Sequence, residues 1–238
     1  MHPRVVHPWP ATTALVLLLA LVATRGLGLT GLLAGLVATA SGTWWLRRSA
    51  TRHDVARLGP ADVVTLGRAV LVVGVTALVA DGGSHGGVLV ALAAVALALD
   101  LVDGQVARRT GTASAFGASL DMEVDAWLIL VLSVHVAPEV GWWVLAIGLA
   151  RYALAVAAAL LPVLRRPVPV RRWAKVVAAV QGVALLVVST GWLPIPVSRV
   201  LLGVALLLLV ESFAHQVRWL VRHPVPSYDT RAVEVVGG

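Results

Sequence analysis

The sequence contains no cysteine, and only 13% of its residues are charged. The absence of cysteine excludes a disulfide framework and any site built on a thiolate. Hydrophobic residues make up 59% of the chain, and the mean hydropathy is +0.89. Soluble domains of this length do not have such a composition, so the sequence predicts an all-α, polytopic membrane protein.

Eight apolar segments follow one another along the chain. They cover roughly residues 10–25, 27–46, 61–80, 86–105, 115–137, 140–163, 173–192 and 196–221. Several are close to the minimum length for crossing a bilayer, so we expect short or tilted helices. The first segment also resembles a signal peptide, but keeping it gives a consistent topology, so we expect it to remain as a span.

The arginines predict the orientation in the membrane. With eight spans, the loops after the second, fourth, sixth and eighth segments lie on one side. That side carries Arg47, Arg48, Arg52, Arg57, Arg108, Arg109, Arg165, Arg166, Arg171, Arg172, Lys175, Arg218 and Arg222. By the positive-inside rule it is cytoplasmic, which predicts a multi-pass protein of the cell inner membrane with both chain ends in the cytoplasm. Topology and anionic lipid explain the net charge of +7 better than nucleic acid does, so no nucleic-acid partner is expected.

Acidic residues are scarce, and they are concentrated in one window. Of 12 acidic residues in the chain, five lie between positions 100 and 125: Asp100, Asp103, Asp121, Glu123 and Asp125. Carboxylates at the margin of a membrane helix are energetically costly and are usually functional. Four converging aspartates would repel one another unless cations neutralise them, and hard divalent ions prefer oxygen ligands. The window therefore indicates a two-metal site for phosphoryl chemistry.

Helical spacing brings the first half of this window onto one face. Asp100, Asp103, Gly104 and Ala107 fall on a single stripe, with Arg108 at its edge. The glycine and alanine leave room for a bulky group to approach the backbone. The planar guanidinium of Arg108 is suited to binding a phosphate.

The second half of the window forms a matching face. Gly117, Asp121 and Asp125 are four residues apart and lie on one side of a helix, while Glu123 points about 160° away from Asp125 and is left out of the metal site. The stretch 109–116, rich in Gly, Thr and Ser, predicts the turn that joins the two helices.

The spacing D-x2-D-G-x2-A-R-x8-G-x3-D-x3-D resembles the signature of the CDP-alcohol phosphatidyltransferases at every specified position. The resemblance implies a homodimer of six-helix protomers with a polar cavity that opens to the cytoplasm. It implies transfer of a phosphatidyl group from CDP-diacylglycerol to an alcohol, with release of CMP. It also implies two Mg²⁺ or Mn²⁺ ions as cofactors.

The resemblance also implies roles for individual residues. Asp100, Asp103 and Asp121 would bind the two ions, with Asp125 in or close to the metal shell and acting as the general base. The remaining motif residues would line the CDP pocket, with a threonine nearby: Gly104, Ala107, Arg108, Gly117 and Thr65.

The resemblance divides the chain into four parts. Residues 1–46 form an additional pair of transmembrane helices, and residues 61–222 form the six-helix core. Residues 47–60 are too polar to span, so we expect a cytoplasmic juxtamembrane amphipathic helix that ends at Gly59–Pro60. Residues 223–238 are expected to be a mobile tail.

Three polar residues share one face at the start of the third segment. Family members often carry Asn-x2-Thr-x2-Arg there, so Thr65 and Arg68 match and Asp62 departs from the commoner residue. Asp62 could instead cap the helix, and Thr65 could bond its own backbone. Arg68 lies inside the membrane and needs a polar partner, which favours a cavity over lipid.

Two further cations bear on the acceptor alcohol. Arg151, in the middle of the sixth segment, is expected either near an acceptor's phosphate or in a buried ion pair. Lys175 and Gln181 resemble the family's Lys-x5-Gln, although Ala178 stands where a threonine is common.

The acceptor itself is not fixed by the sequence. Arg68, Arg151 and Lys175 favour a phosphorylated alcohol, and glycerol 3-phosphate is the preferred candidate. Inositol phosphate, inositol, serine and phosphatidylglycerol are alternative acceptors. A metal-dependent transporter is the alternative of a different class, but it would need acids near the midplane of paired or repeated segments.

Overall fold

The computed structural model describes residues 8–53, 55, 58–82, 86–110, 114–161 and 172–222, and only the backbone of residues 101, 103–110, 172, 175, 216, 217 and 219–222. Within these ranges the chain forms eight α-helices and no β-strand. The helices are α1 (Trp9–Arg25), α2 (Leu29–Arg52), α3 (Pro60–Ala80), α4 (Gly86–Thr110), α5 (Ala115–Val140), α6 (Leu145–Leu160), α7 (Arg172–Ser189) and α8 (Ile195–Arg222). They correspond one to one with the predicted apolar segments, which confirms the all-α class.

Four of these helical regions are long and apolar enough to cross a bilayer. They are Leu29–Arg52, Pro60–Ala80, Trp142–Leu160 and Ile195–His215. Three shorter apolar helices accompany them: Trp9–Arg25, Gly86–Asp100 and Val176–Ser189. Large apolar side chains are exposed on the outer faces of these helices, such as Val16 and Val37. Apolar surface of this extent suits contact with lipid, so the protein is a polytopic membrane protein.

The predicted juxtamembrane helix over residues 47–60 is wrong as a separate element. Residues 47–52 continue α2, and the described residues among 53–59 are not helical. Polar side chains do not end a helix, and neither glycine nor proline occurs between residues 43 and 58, so α2 continues past its apolar part. Gly59–Pro60 begins α3 instead, with Pro60 in the first turn, where its missing N–H is harmless.

Helix α3 is the central helix of the bundle. More than half (56%) of its apolar span is buried inside the protein, whereas the corresponding shares for α2 and α8 are 22% each. It packs against α1, α2, α4 and α5. Asp62, at its third position, accepts a hydrogen bond from the Gly59 N–H at 2.8 Å, which satisfies a free donor at the helix start. The capping role is therefore confirmed, although from inside the helix.

Small residues allow α2 to lie very close to α3. A Cβ added to Gly31 would come within 2.7 Å of the Ala77 carbonyl oxygen on α3, and one added to Gly35 would come within 3.2 Å of the Ala77 Cβ and within 2.5 Å of the Leu18 side chain on α1. At the end of the contact, Asp81 accepts a hydrogen bond from the Gly28 N–H at 2.9 Å. Close approach through small residues is the usual way for helices to associate in a membrane, so this contact fixes the α1–α2 pair on the core.

The turn predicted over residues 109–116 is narrower than predicted, because residues 109–110 end α4 and residues 115–116 begin α5. Helix α4 ends at Thr110 and α5 begins at Ala115, and Ser114 caps α5 by accepting the Gly117 N–H at 2.9 Å. Residues 111–113, like the predicted tail 223–238, lie outside the described residues. Because the two helices are joined by so short a connection, the end of α4 and the start of α5 lie at the same end of the bundle.

Replacing Gly31 by Ala should weaken the docking of α2 on α3. The new methyl group would meet a backbone oxygen that cannot rotate away, so we expect a loss of about 1–3 kcal/mol in stability. Gly42→Ala, on the same helix, is the matched control, because its Cβ would meet the Trp127 ring at an ordinary 3.5 Å. Thermal unfolding in detergent should show a lower midpoint for Gly31→Ala and an unchanged or higher one for Gly42→Ala. Equal midpoints would contradict the close α2–α3 contact.

Candidate active site

The guanidinium of Arg68 lies at the centre of the predicted acidic cluster. It is fully buried on α3, and its Nη1 lies 2.6 Å from Asp121 Oδ1 and 2.9 Å from Asp100 Oδ1. Its Nη2 donates to Asp125 Oδ1, and its Nε donates to the Ala96 carbonyl oxygen at 3.1 Å. One side chain therefore joins α3 to the end of α4 and the start of α5.

The three carboxylates form a group that could hold a metal ion. One oxygen from each of Asp100, Asp121 and Asp125 can be chosen so that all lie within 4.8 Å of one another. Their side chains are 32%, 40% and 32% exposed, unlike that of Arg68. Three carboxylates exceed one guanidinium in formal charge, so the cluster remains negative and accessible from the carboxylate side. Such oxygen donors suit a hard divalent cation.

Five predicted site residues cannot be placed by their side chains. Asp103, Gly104, Ala107 and Arg108 lie on the helical backbone of α4, and Lys175 lies on that of α7, but their side chains are outside the described part of the structure. The backbone of α4 is helical from residue 86 to residue 110, so the predicted stripe that relates Asp103 to Asp100 has the helical geometry it requires.

Gly117 lies against a side chain that the sequence did not relate to it, whereas Thr65 bonds to its own helix. A Cβ on Gly117 would come within 2.5 Å of Asp62 Oδ1, so the group that approaches this glycine within the protein is the carboxylate that caps α3. Thr65 is buried and donates its hydroxyl to the Ala61 carbonyl oxygen at 3.1 Å. That bond is the one to its own helix backbone which the sequence left open.

Arg151 lies apart from the aspartate cluster. Its Nη2 is 3.5 Å from Glu123 Oε2, its Nη1 lies 2.7 Å from the Met122 sulfur, and its Nε has no partner among the described residues. Glu123 is two residues from both Asp121 and Asp125, hence about 160° around α5 from each of them. The structure thus gives Arg151 the ion-pair partner that the sequence allowed, and it leaves Glu123 outside the metal group.

Sequence reasoning did not foresee the partners of Arg68. The sequence predicts a polar partner for the buried arginine and cations near the converging aspartates. It does not predict that the arginine and the aspartates are partners of each other. The available signal was their depth: Arg68 lies about two turns into α3, and Asp121 and Asp125 lie about two and three turns into α5. Helices that begin at the same end of a bundle bring such positions to the same level.

The sequence was also compared with known proteins. The family model of CDP-alcohol phosphatidyltransferase matches residues 59–211, which begin just before α3 and end within α8. Two proteins named probable phosphatidylglycerophosphate synthase, from two strains of Mycobacterium tuberculosis, are each 36% identical to this chain over 196 residues. The aligned region covers 79% of this chain and 88% of theirs. No solved structure matches the sequence significantly.

The matched region contains Arg68, Asp100, Asp121 and Asp125, and it therefore includes the whole cluster described above. Both the extent of the family match and the coverage of the mycobacterial relatives exceed half of the chain. The protein is thus a membrane-bound transferase that acts on a CDP-linked substrate, which decides against the transporter alternative. The chain belongs to the CDP-alcohol phosphatidyltransferase family.

Proposed function

We propose that the protein transfers the phosphatidyl group of CDP-diacylglycerol to glycerol 3-phosphate, forming phosphatidylglycerophosphate and releasing CMP. The observation that carries this proposal is the convergence of Asp100, Asp121 and Asp125 within the segment that the family model matches. The choice of glycerol 3-phosphate is supported by the name of the mycobacterial relatives, probable phosphatidylglycerophosphate synthase. Inositol phosphate, inositol, serine and phosphatidylglycerol are then competing acceptors to be tested.

The acidic cluster is suited to divalent metal ions, which the family uses. Three carboxylates within reach of one another, only partly neutralised by a single guanidinium, match the oxygen ligands that Mg²⁺ and Mn²⁺ prefer. Two ions held by Asp100, Asp103, Asp121 and Asp125 would neutralise the charge of the diphosphate and stabilise the leaving CMP. The identity and number of the ions belong to the proposal.

Asp125 is the proposed general base. The acceptor hydroxyl oxygen bonds to the phosphorus that carries the diacylglycerol, the phosphorus–oxygen bond to CMP breaks, and the hydroxyl proton passes to the Asp125 carboxylate. The hydrogen bond from Arg68 Nη2 holds that carboxylate in position. Its side chain is 32% exposed, so an acceptor can approach it.

The nucleotide end of the substrate is proposed to lie along the motif residues. The small residues Gly104 and Ala107, together with Arg108, follow Asp103 on the helical backbone of α4. Gly117 on α5 and Thr65 on α3 are proposed to complete this pocket. Since Gly117 faces the Asp62 carboxylate, its absent side chain serves first to let α3 and α5 approach each other.

The acceptor's phosphate needs a cation that is not already fully engaged. Arg68 has carboxylate and carbonyl partners on all three of its nitrogens. Arg151 has one unpartnered nitrogen but lies beside Glu123, on the far side of α5 from the cluster. Lys175 stands near the start of α7, at the end of the bundle where the cluster lies, so it is the residue we favour for the acceptor's phosphate.

The orientation and assembly are also proposals. Arg47, Arg48 and Arg52 at the end of α2 and Arg218 on the last part of α8 lie at the same end of the bundle as the acidic cluster. By the positive-inside rule this end faces the cytoplasm of a cell inner membrane. The homodimer is supported by the family resemblance alone.

Purified protein assayed for CMP release tests the proposed reaction. We expect release with CDP-diacylglycerol, glycerol 3-phosphate and Mg²⁺ or Mn²⁺, none with EDTA, and restoration when the ion is returned. Asp125→Asn should lower turnover by about 100-fold or more, the usual loss for a missing general base. Glu139→Gln, at an exposed acid on the same helix, is the matched control and should keep full activity.

Two results of this assay would contradict the proposal. Undiminished activity in a metal-free preparation would exclude the divalent site. Faster reaction with inositol, serine or an inositol phosphate than with glycerol 3-phosphate would assign a different acceptor.

Arg151→Ala separates the two roles left for that residue. If the role of Arg151 is its ion pair with Glu123, the variant should lose about 1 kcal/mol of stability, as for a partly exposed ion pair. The double variant Arg151→Ala/Glu123→Gln should then be no less stable than Arg151→Ala alone. The Michaelis constant for glycerol 3-phosphate should then stay unchanged. If that constant rises in Arg151→Ala but is unchanged in Glu123→Gln, Arg151 contacts the acceptor instead.

A further inference from the structure

A cavity of about 370 Å³ lies between the α1–α2 pair and helices α3, α5 and α6. Every one of these five helices contributes side chains to its wall, for example Ala14, Ala38, Val70, Trp127 and Tyr152. Its volume falls in the range of about 300–1,000 Å³ that is usual for ligand sites. The family model begins at residue 59, so α1 and α2 supply part of this wall from outside the matched region.

The cavity lies on the other side of α3 and α5 from the acidic cluster. On α3, Leu66 and Val70 line the cavity, and each is two residues from Arg68, hence about 160° around the helix from it. On α5, Trp127 lines the cavity and is two residues from Asp125, again about 160° away. The cavity is therefore separated from the proposed site of phosphatidyl transfer by the two helices that build that site.

The lining of the cavity suits a hydrocarbon chain. Most of its wall is apolar, and its one carboxylate, that of Glu123, is within 3.5 Å of Arg151. Along α5 the wall runs from Leu120 to Leu130, a rise of about 15 Å. That length is half of a hydrocarbon core of about 30 Å. The cavity thus extends through one leaflet, the depth that an acyl chain of that leaflet occupies.

Positive charge lies beside the cavity, towards the end of α2. The guanidinium of Arg48 lies 5.5 Å from the centroid of the Trp44 ring, which lines the cavity. Arg47 lines an adjoining groove that shares Thr39 and Trp44 with the cavity wall. Both arginines are exposed, and neither is paired with a carboxylate among the described residues. Exposed arginines at the level of a membrane surface bind lipid phosphate.

We propose that the cavity binds an anionic phospholipid of the surrounding bilayer, distinct from the substrate lipid. One acyl chain lies in the cavity between α2 and α5, and the headgroup phosphate meets Arg47 and Arg48. The site needs the α1–α2 pair for its wall and for both arginines. It therefore gives this pair a binding role that is separate from the transfer reaction.

Native mass spectrometry of the purified protein, titrated with phosphatidylglycerol or phosphatidylcholine, tests this site. The wild type should bind one phosphatidylglycerol tightly and prefer it to phosphatidylcholine. Thr39→Phe, which places a ring in the cavity wall, should weaken binding of phosphatidylglycerol by about tenfold or more. Val37→Phe is the matched control, because Val37 is 68% exposed on the outer face of the same helix, and it should bind like the wild type.

A second variant tests the headgroup contacts without filling the cavity. Arg47→Ala/Arg48→Ala should lose the preference for phosphatidylglycerol over phosphatidylcholine, since two charge-assisted contacts with the phosphate are removed and the chain contacts remain. Equal binding by the wild type and Thr39→Phe would overturn the cavity as the site. Preference retained in the arginine variant would overturn the headgroup assignment.

The substrate lipid is distinguished by kinetics. The Michaelis constant for CDP-diacylglycerol should be the same in Thr39→Phe and in the wild type, since the two sites lie on opposite sides of α3 and α5. A several-fold rise in that constant, confined to Thr39→Phe, would show that the cavity holds a chain of the substrate and would overturn the proposal.

Discussion

The buried guanidinium of Arg68 is the interaction on which the arrangement of the core depends. It is the largest fully buried side chain among the residues that the structure describes, and it joins α3 to aspartates on α4 and α5 through charged contacts inside the bundle. An arginine buried without partners would be strongly destabilising, and so would converging carboxylates without a cation. Arg68 supplies the cation that the aspartates need, and the aspartates supply the partners that Arg68 needs. The same contact also leaves the carboxylates partly exposed on the side away from Arg68, where a divalent ion can approach.

Helix α3 places different chemistry on its two sides. One side carries Arg68 towards the acidic cluster, and the opposite side, with Leu66 and Val70, faces an apolar cavity. Glycines on α2 let the N-terminal helix pair approach α3 closely, and residues further along α2 line the cavity. The family match covers the first side and its partners, whereas the second side depends on α1 and α2. The core thus separates a polar, metal-suited site from a site suited to hydrocarbon.

Much of this could be predicted from the sequence, because apolar length and helical periodicity are local properties. They predicted the eight helices, and they predicted that Asp121 and Asp125 share one face of a helix, away from Glu123. The separate helix over residues 47–60 was wrong because polarity reports the environment of a helix and not its end. The partners of Arg68 and the position of Asp62 against Gly117 could not be predicted, since both depend on the depth at which neighbouring helices meet.

The central claim is that Arg68 stabilises the core by neutralising the aspartates, and Arg68→Met tests it most directly. Methionine keeps an unbranched side chain of similar length but removes the charge, which should lower stability by about 3–5 kcal/mol for a broken buried pair. The measurement is the thermal unfolding midpoint of this variant and of the wild type, each with EDTA and with Mg²⁺. We expect the variant to be far less stable in EDTA and to gain more from Mg²⁺ than the wild type does. The same loss in both conditions would contradict the claim and assign Arg68 to packing alone.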